Sequence, residues 1–249
     1  RNTRVFPRLV WLVAGAFALH TLTIAARTAA QGHLPWAGDY ENALMAGWFI
    51  LVVTLFIAFR HPQLQALAVA TVPASLLIMG FGVMRNPVLS PMAASLKSFW
   101  LYIHVWFAWL AYSAYTLAMA AGVVYLLKLR DATKGHTNSV YDRLPALDRL
   151  EELIFRYVVF GFIIDAIMIA AGAIWAKNLW GNYWSWDPVE TWSLVSWLVY
   201  GITIHLRITM GWRGKKLAWL AIAALSTVII SFFGVTIVVD TSQHFFNVR

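Results

Sequence analysis

Long apolar runs, separated by short clusters of basic residues, constrain this chain more than any other feature. They predict seven helices, at about 8–27, 43–60, 64–84, 99–128, 151–176, 190–207 and 217–239. A helix rises about 1.5 Å per residue, so about 20 residues cross the hydrocarbon core of a bilayer. Only 12% of the residues are charged, against about 25% in a soluble domain. The chain is therefore predicted to be an all-α integral membrane protein of about seven transmembrane helices, with the lipid bilayer as its solvent.

The distribution of basic residues between the helix ends predicts which end lies in the cytoplasm. Thirteen Lys and Arg residues fall on one side of the membrane, at the N-terminus, at Arg60 and in the segments 128–150 and 207–216. Five fall on the other side: Arg27, Arg85, Lys97, Lys177 and Arg249. Because cytoplasmic loops carry the excess of basic residues, the N-terminus is predicted inside and the C-terminus outside. The net charge of +8 then reflects topology, and no nucleic-acid partner is predicted.

The organisation of the chain is that of a single domain. No linker, internal repeat or low-complexity segment divides residues 1–249. The first apolar run is predicted to be a span and not a signal peptide. The chain contains no Cys, which excludes a disulfide, an iron–sulfur cluster and a Cys-x-x-Cys-His haem attachment of its own.

A tryptophan-rich segment at 175–192 lies on the predicted outer side, between the fifth and sixth helices. It holds five Trp residues and Tyr183. An aromatic belt at the membrane interface explains one or two such residues per helix end, but not this density. Flat rings form a platform for a flat apolar ligand. Gly181 lets the backbone bend, and Asp187 is placed to cap the sixth helix.

This segment carries a resemblance to a known family. Trp180-Gly181-x-x-Trp184-x-Trp186-Asp187-Pro188-x-Glu190-Thr191-Trp192 closely resembles the WWD signature of haem-handling proteins. Gly32-His33-Leu34-Pro35-Trp36 and Ser98-Phe99-Trp100-Leu101-x-x-His104 resemble external segments of the CcsA (ResC) branch. Two departures are Val189, where the family has Lys, and Ser242-Gln243-His244-Phe245-Phe246, where it has Gly-Leu-His-Ser-Tyr. The resemblance covers most of the chain.

The resemblance implies cytochrome c maturation by the system II type of machinery. Haem b would be bound and presented at the outer membrane face, for thioether attachment to the Cys-x-x-Cys-His segment of apocytochrome c. A CcsB (ResB)-type membrane protein would be the partner in a haem lyase assembly, in a bacterial inner membrane or a thylakoid membrane. The chain shows no nucleophile or acid–base pair of its own, so no catalytic residue is assigned.

The same resemblance implies which residues bind haem. His104 and His244 would be the axial ligands of an external haem, and His205 a ligand of a second haem near the cytoplasmic side. The haem platform would comprise Trp180, Gly181, Tyr183, Trp184, Trp186, Asp187 and Trp192. For His104 and His244 the alternative is a pair of ordinary interfacial histidines, which their place on either side of the tryptophan-rich segment disfavours; for His205 it is a solvated helix end.

Further polar residues are candidates for a supporting role. Asp165, in the middle of the fifth predicted helix, is expected either to orient His205 or to make an interhelical hydrogen bond without a functional consequence. In the first case, Asp165→Asn would weaken haem retention at the inner site. His33 and Glu190 are expected to support the external site. The second ligand of the inner haem would come from the partner chain, or less readily from His20.

Three other functions remain as alternatives. A CcmC-type haem handler or exporter shares the WWD signature. A b-type electron-transfer subunit would need paired histidines on facing helices at two depths. A haem or lipid transporter without ligation would need a polar path through the bundle.

Overall fold

The computed structural model describes residues 5–36, 38–85, 87–89, 92–135 and 140–238, and these ranges contain helices and no strand. The α-helices are α1 Val5–Gln31, α2 Asp39–Arg60, α3 Ala68–Val83, α4 Phe99–Thr133, α5 Leu147–Trp180, α6 Pro188–Thr209, α7 Lys215–Ile229 and α8 Val235–Val238. Short 3₁₀ segments, Pro62–Leu67, Ala94–Leu96 and Val140–Arg143, precede α3, α4 and α5, and a π-helical turn, Ile230–Gly234, joins α7 to α8. The predicted all-α class is confirmed.

Six helical segments among the described residues are long and apolar enough to cross a membrane. They are Arg8–Gln31, Asp39–Arg60, Pro62–Val83, Phe99–Thr133, Leu147–Trp180 and Lys215–Gly234. Helix α6 is as long as α2, at 22 residues, but it is not among these six; its polar residues include Glu190, His205 and Arg207. A multi-pass membrane protein is confirmed, while the seventh span and the orientation stay predictions.

Helix α4 is the centre of the bundle and packs against α2, α3, α5 and α7. Small residues allow this close packing, as is usual between transmembrane helices. At Gly122 a Cβ atom would lie 2.9 Å from the carbonyl oxygen of Ala218, so α4 and α7 touch through their backbones. At Gly161 of α5 a Cβ atom would collide with the ring of Tyr115, which occupies the space left by the glycine.

Arg27 joins three elements at one end of the bundle. Its Nε donates to Oε1 of Glu41 at 2.8 Å, and its two terminal nitrogens donate to the carbonyl oxygens of Pro87 and Val88 at 2.8 and 3.2 Å. The guanidinium also lies 4.8 Å from the ring centroid of Tyr40. The end of α1, the start of α2 and the segment that leads to α4 are therefore held together where the tryptophan-rich segment also lies.

Candidate functional site

The tryptophan-rich segment has a defined backbone at both of its ends. Helix α5 stops at Trp180 because Gly181 adopts a left-handed conformation, with φ +84°, and its N–H donates to the carbonyl of Lys177 at 3.1 Å. Helix α6 starts with a capping box, in which the backbone N–H of Val189 donates to Oδ1 of Asp187 at 2.9 Å. The predicted cap at Asp187 is confirmed.

Glu190 holds the connection between the two helices in place. One of its carboxylate oxygens, Oε2, accepts hydrogen bonds from the backbone N–H of Ser185 at 2.8 Å, from the Ser185 hydroxyl at 3.2 Å and from the backbone N–H of Asp187 at 3.3 Å. The side chain is buried. These contacts fix the backbone of residues 185–187 to the first turn of α6.

The aromatic rings of the segment differ in exposure. Trp175 is buried, and its indole N–H donates to the carbonyl of Ser95 at 3.3 Å. Trp180 packs on Trp175 at an angle of 65°, with the ring centroids 5.0 Å apart. Tyr183 and Trp186 are exposed, whereas Trp184 and Trp192 are half-buried. Trp184 and Trp186 meet edge to face, with centroids 5.9 Å apart at 86°. The exposed rings are thus available to a ligand, but they do not form one flat sheet.

Trp186 has a strained backbone. Its φ of +59° is the single positive value for a non-glycine residue among the described residues, and its side chain is 70% exposed. A left-handed conformation costs an L-residue about 1–2 kcal/mol. Such strain concentrates at functional sites.

Two substitutions of Trp186 separate the strain from the ring. Trp186→Ala removes the ring and keeps the strain, while Trp186→Gly removes both. We expect the Gly variant to unfold with a free energy about 1 kcal/mol higher than the Ala variant, because glycine adopts positive φ without a steric penalty. Thermal unfolding of the purified variants measures the difference. Equal stabilities would show that position 186 is unstrained.

His104 of α4 lies against α5. Its Nδ1 donates to the backbone carbonyl of Met168 at 2.9 Å, and because a carbonyl only accepts, Nδ1 carries the proton. In the neutral ring Nε2 then holds the lone pair. Gly172 makes this contact possible, since a Cβ atom there would lie 2.6 Å from Nδ1 of His104. The sequence analysis did not single out Gly172. The second predicted external ligand, His244, lies outside the described residues.

His33 lies in the turn that follows α1. Its Nδ1 contacts the carbonyl of Leu34 at 2.8 Å, and the amide nitrogen of Gln31 donates to the backbone carbonyl of His33 at 3.2 Å. The next aromatic residue, Trp36, stacks on Tyr102 of α4 with ring centroids 4.7 Å apart. These contacts are those of a turn anchored to the start of α4.

His205 is exposed on α6. Its Nδ1 lies 3.3 Å from the hydroxyl of Thr209, one helical turn further on. The neighbouring Arg207 forms an ion pair with Glu151 of α5 at 3.0 Å. His20 is instead buried in α1, which packs on α2, whereas α6 packs on α5 and α7.

Asp165 makes an interhelical hydrogen bond instead of orienting His205. It is 1% exposed, and its Oδ2 accepts from the hydroxyl of Tyr115 on α4 at 3.0 Å. The ring of Tyr115 lies parallel to that of Tyr200 on α6, with centroids 3.4 Å apart. The interhelical hydrogen bond of the second expectation is therefore present, while the role of Asp165 in haem binding stays a prediction. The tyrosine pair was missed, because neither residue belongs to a recognisable motif.

Replacing Asp165 with Asn is a test of this assignment. The amide oxygen of Asn still accepts from Tyr115, and the change removes a carboxylate from the helix interior. We expect the free energy of unfolding to change by less than about 1 kcal/mol, and any haem bound at His205 to be retained. Haem content and thermal unfolding measure both effects. Loss of that haem from a folded Asp165→Asn protein would contradict this assignment and indicate that Asp165 orients His205.

Comparison with known proteins identifies the family of this chain. Residues 36–242 match the family described as Cytochrome C assembly protein. The chain is 32% identical to cytochrome c biogenesis protein CcsA of Guillardia theta, over 86% of this chain and 77% of that protein. It is also 32% identical to the CcsA proteins of Synechocystis sp., over 94% and 88%, and of Chlamydomonas reinhardtii, over 97% and 69%. The chain therefore belongs to the cytochrome c assembly protein family and is a protein of the CcsA type.

Proposed function

We propose that this chain binds haem b at its outer end and presents it for thioether attachment to the Cys-x-x-Cys-His segment of an apocytochrome c. Its membership of the cytochrome c assembly family supports a place in cytochrome c maturation. The observation that carries the proposal is the hydrogen bond from Nδ1 of His104 to the carbonyl of Met168. Histidines that bind metals usually donate their second ring nitrogen in this way.

The donor set of the outer end fits a haem. A neutral imidazole is a usual axial ligand of haem iron, and Nε2 of His104 has the lone pair that ligation requires. We propose His244 as the opposite axial ligand. The exposed rings of Tyr183 and Trp186, together with the half-buried rings of Trp180, Trp184 and Trp192, supply apolar surface for the macrocycle.

The residues around this site orient the ligand and support the segment. Gly172 and Met168 fix the imidazole of His104, and Glu190 and Asp187 fix the backbone between α5 and α6. The bound haem would supply the vinyl groups and the iron on which attachment depends. The contribution of this chain is to hold the ligand in one orientation before an incoming client.

We propose His205 as a ligand of a second haem, whose other ligand comes from a CcsB (ResB)-type partner. The exposure of His205 on the outside of the bundle supports this, because a second protein could reach it. The synthase activity then belongs to the assembly of the two proteins, and no catalytic side chain is assigned to this one.

We also propose the orientation of the chain. Seven spans with the N-terminus in the cytoplasm put Arg60, Arg207 and the segment 128–150 inside. The tryptophan-rich segment and His104 then face the periplasm or the thylakoid lumen. The relatives from Synechocystis and from algae support a bacterial inner membrane or a thylakoid membrane as the location.

An absorption spectrum of the purified chain tests the proposed function. We expect bound haem with bis-histidine bands, and additional haem when the chain is purified together with a CcsB-type protein. The increase in haem content of the complex would measure how much haem the inner site at His205 binds only when the partner is present. No haem in either preparation would contradict the proposal.

A further inference from the structure

We propose that a pocket beside the start of α4 binds the propionate carboxylates of the haem, with Lys97 and Tyr102 as their partners. This inference rests on the proposed function, since it concerns how the same ligand is held. It adds a second anchor, separate from the iron ligands and from the aromatic rings, that recognises the polar edge of the macrocycle.

The pocket has a volume of about 400 Å³. Its lining comes from the turn after α1, from the segment before α4 and from α4 itself, through Gln31, Gly32, His33, Met92, Lys97 and Tyr102. The volume lies within the range of small-molecule sites, about 300–1,000 Å³. The lining contains amide, imidazole, ammonium and phenol groups and no carboxylate. Such a set favours an acidic ligand.

Lys97 is a cation at this end of the bundle with no anionic partner among the described residues. Arg27 is paired with Glu41 at 2.8 Å, and Arg85 lies 3.9 Å from Asp39. Lys177 donates to the carbonyl of Gly181 at 2.6 Å. Within the described ranges, the exposed ammonium group of Lys97 has no carboxylate within 4 Å. It is therefore free to pair with an acidic group of a ligand.

The segment that carries Lys97 is held against the tryptophan-rich segment. The carbonyl of Ser95 accepts from the indole N–H of Trp175 at 3.3 Å, and the buried Leu96 packs in one apolar cluster with Trp175 and Trp180. Lys97 therefore stands on a backbone whose position is fixed relative to those tryptophans. It precedes His104 by seven residues, and the helical part of this stretch, from Phe99 to His104, rises about 8 Å. A ligand bound at His104 thus lies within reach of the pocket.

Tyr102 supplies a second donor in the lining of the pocket. Its ring is held by stacking on Trp36, at 4.7 Å between centroids and 28° between planes. The phenol group lines the pocket together with Lys97. A hydroxyl and an ammonium group that face the same space can both donate to one carboxylate, and such charge-assisted hydrogen bonds are the stronger ones.

The test compares two porphyrins that differ in their carboxylates. Iron protoporphyrin IX and its dimethyl ester are titrated into the full-length chain purified with its partner, and binding is followed by the Soret band. We expect the wild type to prefer the free acid by about fivefold, as for one partly exposed ion pair. Lys97→Met should reduce this preference to about one, and Tyr102→Phe should reduce it in part. Lys97→Arg should keep it.

A matched control variant and a second measurement distinguish propionate binding by Lys97 from a purely structural role of this residue. Lys134→Met makes the same change at the other end of α4 and should leave the preference intact. The visible bands of bound haem should stay those of the wild type in Lys97→Met, because the iron ligands are untouched. An unchanged preference in Lys97→Met would overturn the inference and leave the proposed function standing. A wild type that binds neither porphyrin would overturn both.

Discussion

Replacing His104 with Gly is expected to lower haem binding at the outer site by about a hundredfold or more, and added imidazole is expected to restore it. The loss follows because even residues that support a metal ligand change affinity by about 10–100-fold, and His104 is proposed as the ligand itself. The cavity left by the side chain admits free imidazole. Haem content and the Soret spectrum, with and without imidazole, measure both effects.

The histidine variant needs a control that makes the same change elsewhere. His61→Gly alters an exposed histidine at the end of α2 and should bind haem as the wild type does. Cytochrome c maturation in cells should fall with His104→Gly and not with His61→Gly. Full haem occupancy in His104→Gly would show that the iron has other ligands.

Gly172→Ala is expected to weaken the same site without touching a ligand. The new methyl group would lie 2.6 Å from Nδ1 of His104, so the imidazole has to move away from the carbonyl of Met168. We expect a loss of about 10–100-fold in haem affinity. Gly80→Ala is the matched control, because no atom lies within 4 Å of a Cβ at that helical position. Equal affinities of the two variants would contradict the assigned contact.

Arg27→Met is expected to be the most destabilising single change described here, by about 3–5 kcal/mol. The reason is the burial of its partner: Glu41 is 4% exposed, and its carboxylate would lose the ion pair with Arg27. The change also removes the bonds to the carbonyls of Pro87 and Val88. Thermal unfolding in detergent measures the loss.

A double substitution and the substitution of a second arginine test whether burial of the ion pair with Glu41 causes the loss of stability in Arg27→Met. Arg27→Met combined with Glu41→Gln should regain part of the stability, because no buried charge remains. Arg85→Met removes a pair with Asp39 that is 3.9 Å long and has side chains 28% and 45% exposed, so it should cost less than Arg27→Met. Equal losses for Arg27→Met and Arg85→Met would show that burial of the pair does not matter.

The features that the sequence predicted well are local. Apolar runs predicted the helices, and the order Asp187-Pro188-x-Glu190 predicted the start of α6, because a capping box involves neighbours three residues apart. The helix ends were less accurate. Helix α4 was predicted to end at 128 and continues to Thr133, since a helix continues beyond the membrane while its charged residues are solvated.

The features that the sequence could not predict depend on the packing of distant segments. Gly172 matters because the register of α4 against α5 brings it to His104, and no pattern within α5 specifies that register. Asp165 was predicted in the middle of the fifth helix, but a position along a helix does not say which side of that helix the side chain occupies. The structure turns Asp165 towards Tyr115. Arg27 was counted as a loop charge, although its partners lie in α2 and in residues 87–88.

The segment before α4 has a consequence for the order of biogenesis. Arg27 donates to the carbonyl of Pro87, 60 residues later in the chain. The carbonyl of Ser95 accepts from the indole of Trp175, which is 80 residues later. A nascent chain is made from its N-terminus, so this surface stays incomplete until α5 has been inserted. Ribosome-bound intermediates that end before α5 should therefore be cut by protease between α3 and α4, whereas the finished protein resists.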